Sequence, residues 1–293
     1  MGGRTLRLSN LDKVLYPETG TTKAEVIDYY ARVAPVMVPH LARRGVTLRR
    51  FPDGVEAGSF FEKRCPGHRP DWLGTLPGPG DRNGTIEYCC LDSAPALVWA
   101  ANMAALEIHA PMAQDDIDTP TMCVFDLDPG EGTSIAECSD VALDVRHVLV
   151  GFGLEGFPKT SGSKGLQVYV PLNTPHTHER ASGFALAVAQ LLERAHPDHV
   201  VSNMKKSLRR GRVLVDWSQN SRHKTTIAVY SLRARPHPTV STPVTWDEVD
   251  AAAAGEPLAF EASDVLDRVA DLGDLFAPTL TLRQQLPGKP PAS

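Results

Sequence analysis

Apolar and polar positions divide the chain into short strands and longer helices. Thr22 and Glu25, three apart ahead of a largely apolar stretch, form a capping box and predict a helix to about Leu41. Val46–Phe51 and Gly58–Glu62 read as strands around a turn at Pro52-Asp53-Gly54. The Pro- and Gly-rich stretch 67–84 predicts a loop, Ile86–Leu91 a strand, and Asp92 the cap of an apolar helix reaching about Leu106. Met122–Phe125 is apolar throughout and then meets acids, the pattern of a buried strand emerging at a sheet edge. Helices are predicted at about 134–152 and 178–195, with short ones near 246–254 and 263–275. Strands are predicted at Leu166–Leu172, Arg212–Trp217 and Thr226–Leu232. Elements mix without strict β-α alternation, which predicts the α+β class, with mixed or antiparallel sheets flanked by helices. One domain is expected over residues 1–276, followed by a loose, Pro-rich tail at 277–293.

Composition narrows the class. The chain is 42% hydrophobic and 22% charged, which excludes disordered and fibrous proteins. No apolar run approaches the roughly 18 residues of a membrane span, and the N-terminus lacks the apolar core of a secretory signal. A cytoplasmic protein is expected. Its five cysteines contain no C-x-x-C pair and are expected to be reduced thiols. Cys65, His68, Cys89 and Cys90 match no common zinc spacing.

The net charge of −5 hides opposed blocks. Residues 205–235 hold nine Lys/Arg against one acid, whereas 247–274 hold nine acids against one Arg. Residues 1–50 hold nine bases against four acids. Phosphate binding depends on local potential, so the average does not exclude a nucleic-acid partner.

Three stretches carry candidate chemistry. In Val124-Phe-Asp126-Leu-Asp128-Pro-Gly, strand alternation turns both carboxylates the same way. They either hold a hard divalent cation, Mg²⁺ or Mn²⁺, or are two solvated acids opening a turn. In Val213-Leu-Val-Asp216, the acid either completes a carboxylate trio able to hold two metals or caps a turn. Thr160-Ser161-Gly-Ser-Lys164-Gly is either a phosphate-binding loop or a plain hairpin, and its spacing is not that of a Walker A motif. Lys13 and Lys23 flank a turn and either bind a phosphate or are solvated. Phe60 and Phe61 are adjacent in a strand and face opposite ways, so either one is in the core and the other free to stack on a base, or both are core or interface residues.

Together these stretches resemble the polymerase domain of bacterial DNA ligase D, in the archaeo-eukaryotic primase superfamily. The resemblance rests on Asn10-Leu-Asp-Lys13, Phe60-Phe61-Glu-Lys63, Ala105-Leu-Glu-Ile-His109, Asp126-Leu-Asp128-Pro-Gly-Glu-Gly, Ser161-Gly-Ser-Lys164-Gly-Leu, Val215-Asp216-Trp-Ser-Gln-Asn and Tyr230-Ser-Leu-Arg233, and covers roughly residues 4–275. It implies a primase-polymerase fold around a central catalytic cleft. The implied activity is addition of NTPs or dNTPs at DNA gaps and ends, in non-homologous end joining or gap repair. Asp126, Asp128 and Asp216 are then the catalytic, metal-holding acids. Ser161, Lys164, Gln167, Arg233, His109, Arg49 and Arg209 are implied to approach the nucleotide. Asn10, Lys13 and Lys23 match a pocket for the downstream 5′-phosphate, and Phe60 and Phe61 pack against template and base.

Two departures stand out. Gln167 occupies a place where the family often has His. No ligase or nuclease region follows, so a stand-alone form is expected, with a separate ligase, an end-binding protein and a nucleoid location. Two other readings compete. A haloacid-dehalogenase-like phosphatase would use Asp126 as nucleophile and Asp128 as acid/base, but its acid pair opens a βαβ unit. A non-catalytic DNA-end module would keep only the 5′-phosphate pocket.

Overall fold

The computed structural model describes residues 3–80 and 84–288. In chain order the first elements are β1 (Val14–Tyr16), β2 (Thr21–Thr22), α1 (Lys23–Leu41), β3 (Gly45–Arg50), β4 (Phe60–Glu62), β5 (Thr75–Pro79), β6 (Thr85–Cys90), α2 (Ala94–Asn102) and β7 (Ala105–Ala110). Then come β8 (Met122–Pro129), α3 (Ile135–Gly151), β9 (Phe157–Thr160), β10 (Leu166–Pro171), α4 (His178–Ala195), β11 (Val200–Val201), β12 (Val213–Asp216), β13 (Thr226–Ile227), α5 (Trp246–Ala253) and α6 (Ala262–Leu272).

Two principal sheets result. One has the order β13-β7-β3-β6-β5, with β4 on the same edge of β3 as β6, and is antiparallel. The other has the order β11-β12-β8-β10-β9, antiparallel except for the parallel β11–β12 pair. This is the α+β class with mixed sheets that the pattern predicts. Each sheet has its own core. On α1 the buried Val26, Tyr30, Val33, Met37 and Leu41 recur every three or four residues and face the first core, with α2 and β7. Phe125 and Leu127 of β8 pack with Val145 and Leu149 of α3 and Val188 of α4 in the second. Fully burying each such side chain contributes about 1.5–3 kcal/mol.

The capping boxes hold as physics requires. Thr22 Oγ1 accepts from the Glu25 N–H while the Glu25 carboxylate accepts from the Thr22 N–H, which fixes where α1 begins.

Several expectations fail for identifiable reasons. The helix expected to reach Leu106 begins after Ser93 rather than Asp92 and stops at Asn102. Ala104 adopts φ +56°, and residues 105–110 instead pair with β3. Within the expected loop 67–84, Thr75–Pro79 is a strand on β6. It lies at the sheet edge, where prolines without an N–H are tolerated; residues 81–83 of that loop lie outside the described residues. The strand expected over Thr226–Leu232 ends at Ile227, because Ser231 Oγ takes the Ile108 N–H and Tyr230 turns the chain with φ +66°. The tail is not loose as far as it is described: Gln284 bonds Leu172 O, Pro171 O and Glu155, and Leu286 is buried in the second core. Residues 289–293 lie outside the described residues.

The cysteine expectation also fails in part. Cys65 and Cys89 form a disulfide, brought together because the Cys65 N–H donates to Glu87 O and aligns the segment after β4 with β6. Cys90, Cys123 and Cys138 are free and buried.

The segment 228–243 ties the sheets together. Ala228 N–H donates to Ile108 O of the first sheet, and Thr160 N–H of the second donates to Thr242 O. The walls of a cleft meet along this seam.

Candidate active site

The carboxylate cluster follows from sheet register. Asp126 and Asp128 lie two apart on β8, and Asp216 on β12 pairs directly with Asp126. One oxygen of each of the three lies within 4.8 Å of the others. Asp216 ends its strand and caps the following 3₁₀ turn: Ser218 N–H and Oγ donate to one oxygen, and Gln219 Nε2 to the other, at 2.9 Å. Asn220 anchors that turn to β8 by bonding both the N–H and the C=O of Val124. The two alternatives for Asp216 therefore coexist: it caps a turn and joins the trio.

Burial, with Asp128 beside it, pushes the Asp126 carboxyl up to about 7. Burial and the Asp216 charge push Asp128 up as well. Three carboxylates crowded in this way are unfavourable alone and complementary to divalent cations. The residues thus fit the two-metal set implied by the resemblance.

Gln167, on β10, pairs with Asp126 in register. It is buried, and both ends of its amide are engaged: Nε2 donates to Asp126 Oδ1 at 2.9 Å, and Oε1 accepts from Lys159 Nζ at 2.6 Å. It stands beside Asp126 at the carboxylate cluster. Burial pushes the Lys159 pKa down to about 7, against the pull of Asp126.

The opposite wall is organised by a residue that motif reading passed over. Glu107 on β7 is 1% exposed, yet it accepts from Arg49 Nη1 (3.3 Å), Arg233 Nε (3.0 Å) and the Ala234 N–H (3.1 Å), and pairs with His109 Nε2 at 3.1 Å. Burial works against its charge. The His109 hydrogen bond and the Arg233 and His109 charges outweigh it and hold the carboxyl well below the usual range. Three of the expected nucleotide contacts, Arg49, His109 and Arg233, thereby converge on one carboxylate. The strict alternation Leu106-Glu107-Ile108-His109-Ala110 is the signal that would have identified β7 and its polar face.

Arg233 also reaches across the cleft, its Nη1 donating to Ser161 O at 2.8 Å. Ser161 opens the loop between β9 and β10, and its Oγ accepts from the N–H groups of Ser163 and Gly165. The loop is a hairpin turn between β9 and β10, with the Lys164 side chain exposed. A Cβ on Gly165 would lie 2.1 Å from Leu127 O, which is why glycine is required there. Arg209 is brought to the trio by the close approach of Gly130, whose added Cβ would lie 1.7 Å from Arg209 O. Its charge pulls the Asp128 pKa down, against burial and Asp216, and its Nε is buried without a hydrogen-bond partner among the described residues.

Asn10, Lys13 and Lys23 gather elsewhere, around a separate cavity of about 510 Å³ that also includes Arg50 and His68. Lys23 opens α1 and is buried, with Nζ donating to Ser9 O at 2.7 Å. Burial and the nearby charges of Lys13 and Arg50 lower its pKa. Lys13 makes an exposed pair with Asp53 at 2.7 Å. Arg50 is a member of this cationic group that the motifs did not single out.

Strand alternation separates the two places. Arg49 and Phe61 pair across β3 and β4, and Phe61 meets His109 edge-on at 5.6 Å between centroids. Arg50 and Phe60 pair next to them, with the Arg50 guanidinium 5.2 Å from the Phe60 ring centre. Neither phenylalanine enters the core: they are 45% and 57% exposed, contrary to the reading that places one there. Strand β4 is a short edge, and among the described residues both rings remain accessible.

Comparison with known proteins agrees with this geometry. The family model "LigD, primase-polymerase domain" matches residues 22–276. The multifunctional non-homologous end joining protein LigD of Mycolicibacterium smegmatis is 49% identical over 278 residues, 93% of this chain but 36% of the relative. The bifunctional LigD of Bacillus subtilis is 30% identical over 272 residues, 92% of this chain and 43% of the relative. The chain thus spans about two fifths or less of these relatives. A solved structure, the polymerase domain of Mycobacterium tuberculosis ligase D in complex with DNA, superposes with a TM-score of 0.89. It is 47% identical, over 94% of this chain and 98% of that one.

Proposed function

The chain belongs to the LigD primase-polymerase domain family, and from that premise we propose that it adds nucleotides to primer ends at DNA gaps and breaks. The observation that carries the reading is the pairing of Asp216 with Asp126 beside Asp128, opposite a wall of cations. Asp126, Asp128 and Asp216 are the residues that hold two divalent cations, Mn²⁺ or Mg²⁺. When bound, these supply charge neutralisation and activation of the attacking hydroxyl in phosphoryl transfer. Arg233 and Lys164 bind the triphosphate, with the Ser161 loop as its platform. Arg49, His109 and Arg209 border the nucleotide, and Phe61 stacks beside it. The catalytic unit takes in residues 1–276. A DNA ligase activity and an end-binding protein complete end joining at the nucleoid.

The phosphatase reading is less well supported. Strand β8 lies between antiparallel neighbours, not in a βαβ unit, and a third acid faces the pair. Incubation with primed gapped DNA, NTPs or dNTPs, and Mn²⁺ tests the assignment. Primer extension is expected; phosphate release or DNA binding alone would overturn it. The same assay gives the preference between ribo- and deoxynucleotides.

Lys13, Lys23 and Asn10 form the pocket for a downstream 5′-phosphate, aided by Arg50 and by the N-terminus of α1. That group carries close to two negative charges that a 5′-hydroxyl lacks. Gapped DNA bearing it is expected to bind about tenfold more tightly, a charge-assisted contact of about 1.4 kcal/mol. The preference shrinks as salt rises. Titration of both DNAs against wild type and the Lys13→Ala/Lys23→Ala double variant checks this. A preference retained by the double variant places the pocket elsewhere.

A further inference from the structure

We propose that Lys159 is a positioning residue for the carboxylate cluster, acting through Gln167 and resting on the nucleotidyl-transfer reading above. A glutamine amide has two nearly isosteric orientations, and only its partners decide which end faces which neighbour. Gln167 lies between an acceptor, Asp126 Oδ1, and Lys159 Nζ.

The bonds around Nζ leave it a donor in every direction. Gln167 Oε1 and Ile227 O are acceptors only, at 2.6 and 3.1 Å. Ser241 Oγ, at 2.6 Å, already spends its own hydrogen on Thr160 O. Three acceptors match the three N–H bonds of an ammonium. With Oε1 held by Lys159 Nζ at 2.6 Å and more loosely by the Tyr169 hydroxyl at 3.3 Å, Nε2 has one place to go: it donates to Asp126 Oδ1. This is the one hydrogen bond the Asp126 carboxylate accepts among the described residues. Its other oxygen is left for a cation.

The same ammonium spans the seam of the cleft. Lys159 and Gln167 belong to the sheet that carries the trio, while Ile227 belongs to β13, where it pairs with His109. Lys159 is 1% exposed and lies 5.4 Å from the centre of the Tyr169 ring, so these bonds are shielded from bulk solvent. One side chain therefore bonds both the amide that contacts Asp126 and the strand that pairs with His109.

The test is direct Mn²⁺ titration of the full chain without DNA or nucleotide, beside kcat and KM for primer extension. Lys159→Met keeps the stem and removes the donors. It is expected to weaken Mn²⁺ binding roughly 10- to 100-fold, the usual effect of losing a partner that orients a metal ligand, and to lower kcat more than it raises KM. The Lys159→Met/Gln167→Leu double variant is expected to lose no more than the worse single variant, since the two act in series. Wild-type Mn²⁺ affinity in folded Lys159→Met, or fully additive losses in the double variant, overturns the proposal. If Lys159→Met does not fold, Gln167→Leu decides: an equal loss of Mn²⁺ affinity supports it, and unchanged affinity overturns it. Absence of primer extension by wild type that binds Mn²⁺ normally counts against the polymerase reading instead.

Discussion

Asp126→Asn is expected to abolish nucleotide addition, by on the order of 10³-fold or more, while making the metal-free protein more stable. The two effects share one cause. Asp126 is crowded by Asp128 and Asp216 and pushed up to about 7, so its charged form is disfavoured in the folded state. Asn keeps the oxygen that accepts from Gln167 and removes the charge. The sign follows from linkage. A carboxyl whose folded pKa is raised lowers stability as pH climbs from its unfolded value, near 3.9, to its folded one. The Asn variant should therefore match wild type near pH 4 and gain about 1–3 kcal/mol above pH 7. Added Mn²⁺ should stabilise wild type and erase the gap. Urea melts at both pH values, with and without Mn²⁺, check this alongside primer extension. A variant less stable than wild type at pH 8 without metal, or one that still extends primers, would remove Asp126 from the trio's role.

Glu107→Gln is expected to be the most damaging change outside the carboxylate trio. The Glu107 carboxylate is the shared partner of Arg49, His109 and Arg233, and is almost wholly enclosed. Breaking a buried ion pair by removing one partner costs about 3–5 kcal/mol, because the other charges lose their compensation. The three side chains then lose their common anchor, and the KM for nucleotide is expected to rise at least about tenfold, or ~1.4 kcal/mol. DNA binding through the Lys13 and Lys23 cavity, a separate place, should be unaffected. The wild-type contribution is pH-dependent in the opposite sense to that of Asp126. Glu107 is held below its ordinary range, so its stabilisation is complete above about pH 4.3 and is lost as pH falls through the lowered value. Denaturant midpoints against pH, and KM by single-nucleotide addition, test both parts. An unchanged KM in a folded variant would show that the convergence on Glu107 does not serve the nucleotide.

The chemistry easiest to read in the sequence lay where local rules suffice. Period-two alternation turned Asp126 and Asp128 the same way, and β8 carries them so. The capping box at Thr22 and Glu25 placed the start of α1 and with it Lys23. Where two local rules competed, the reading went astray. Residues 94–106 are rich in helix formers, yet tertiary pairing with β3 takes residues 105–110 as a strand. Glu107 falls just beyond the expected helix end at about Leu106, and without the strand its place on a polar sheet face is not drawn.

The sequence alone determined the fold class, the candidate trio and the basic segments, since each depends on residue type and short-range spacing. Tertiary structure decided the partnerships. That Asp216 meets Asp126, that Gln167 reaches Asp126, and that Arg49 and Arg233 share Glu107 are facts of strand register and sheet packing between residues 41 to 126 positions apart. The disulfide between Cys65 and Cys89 and the anchoring of Gln284 on Leu172 belong to the same class. Local spacing carries no information about which distant edge a strand will join. That choice is made by burial of the two cores, and the cleft forms where the sheets built on them meet.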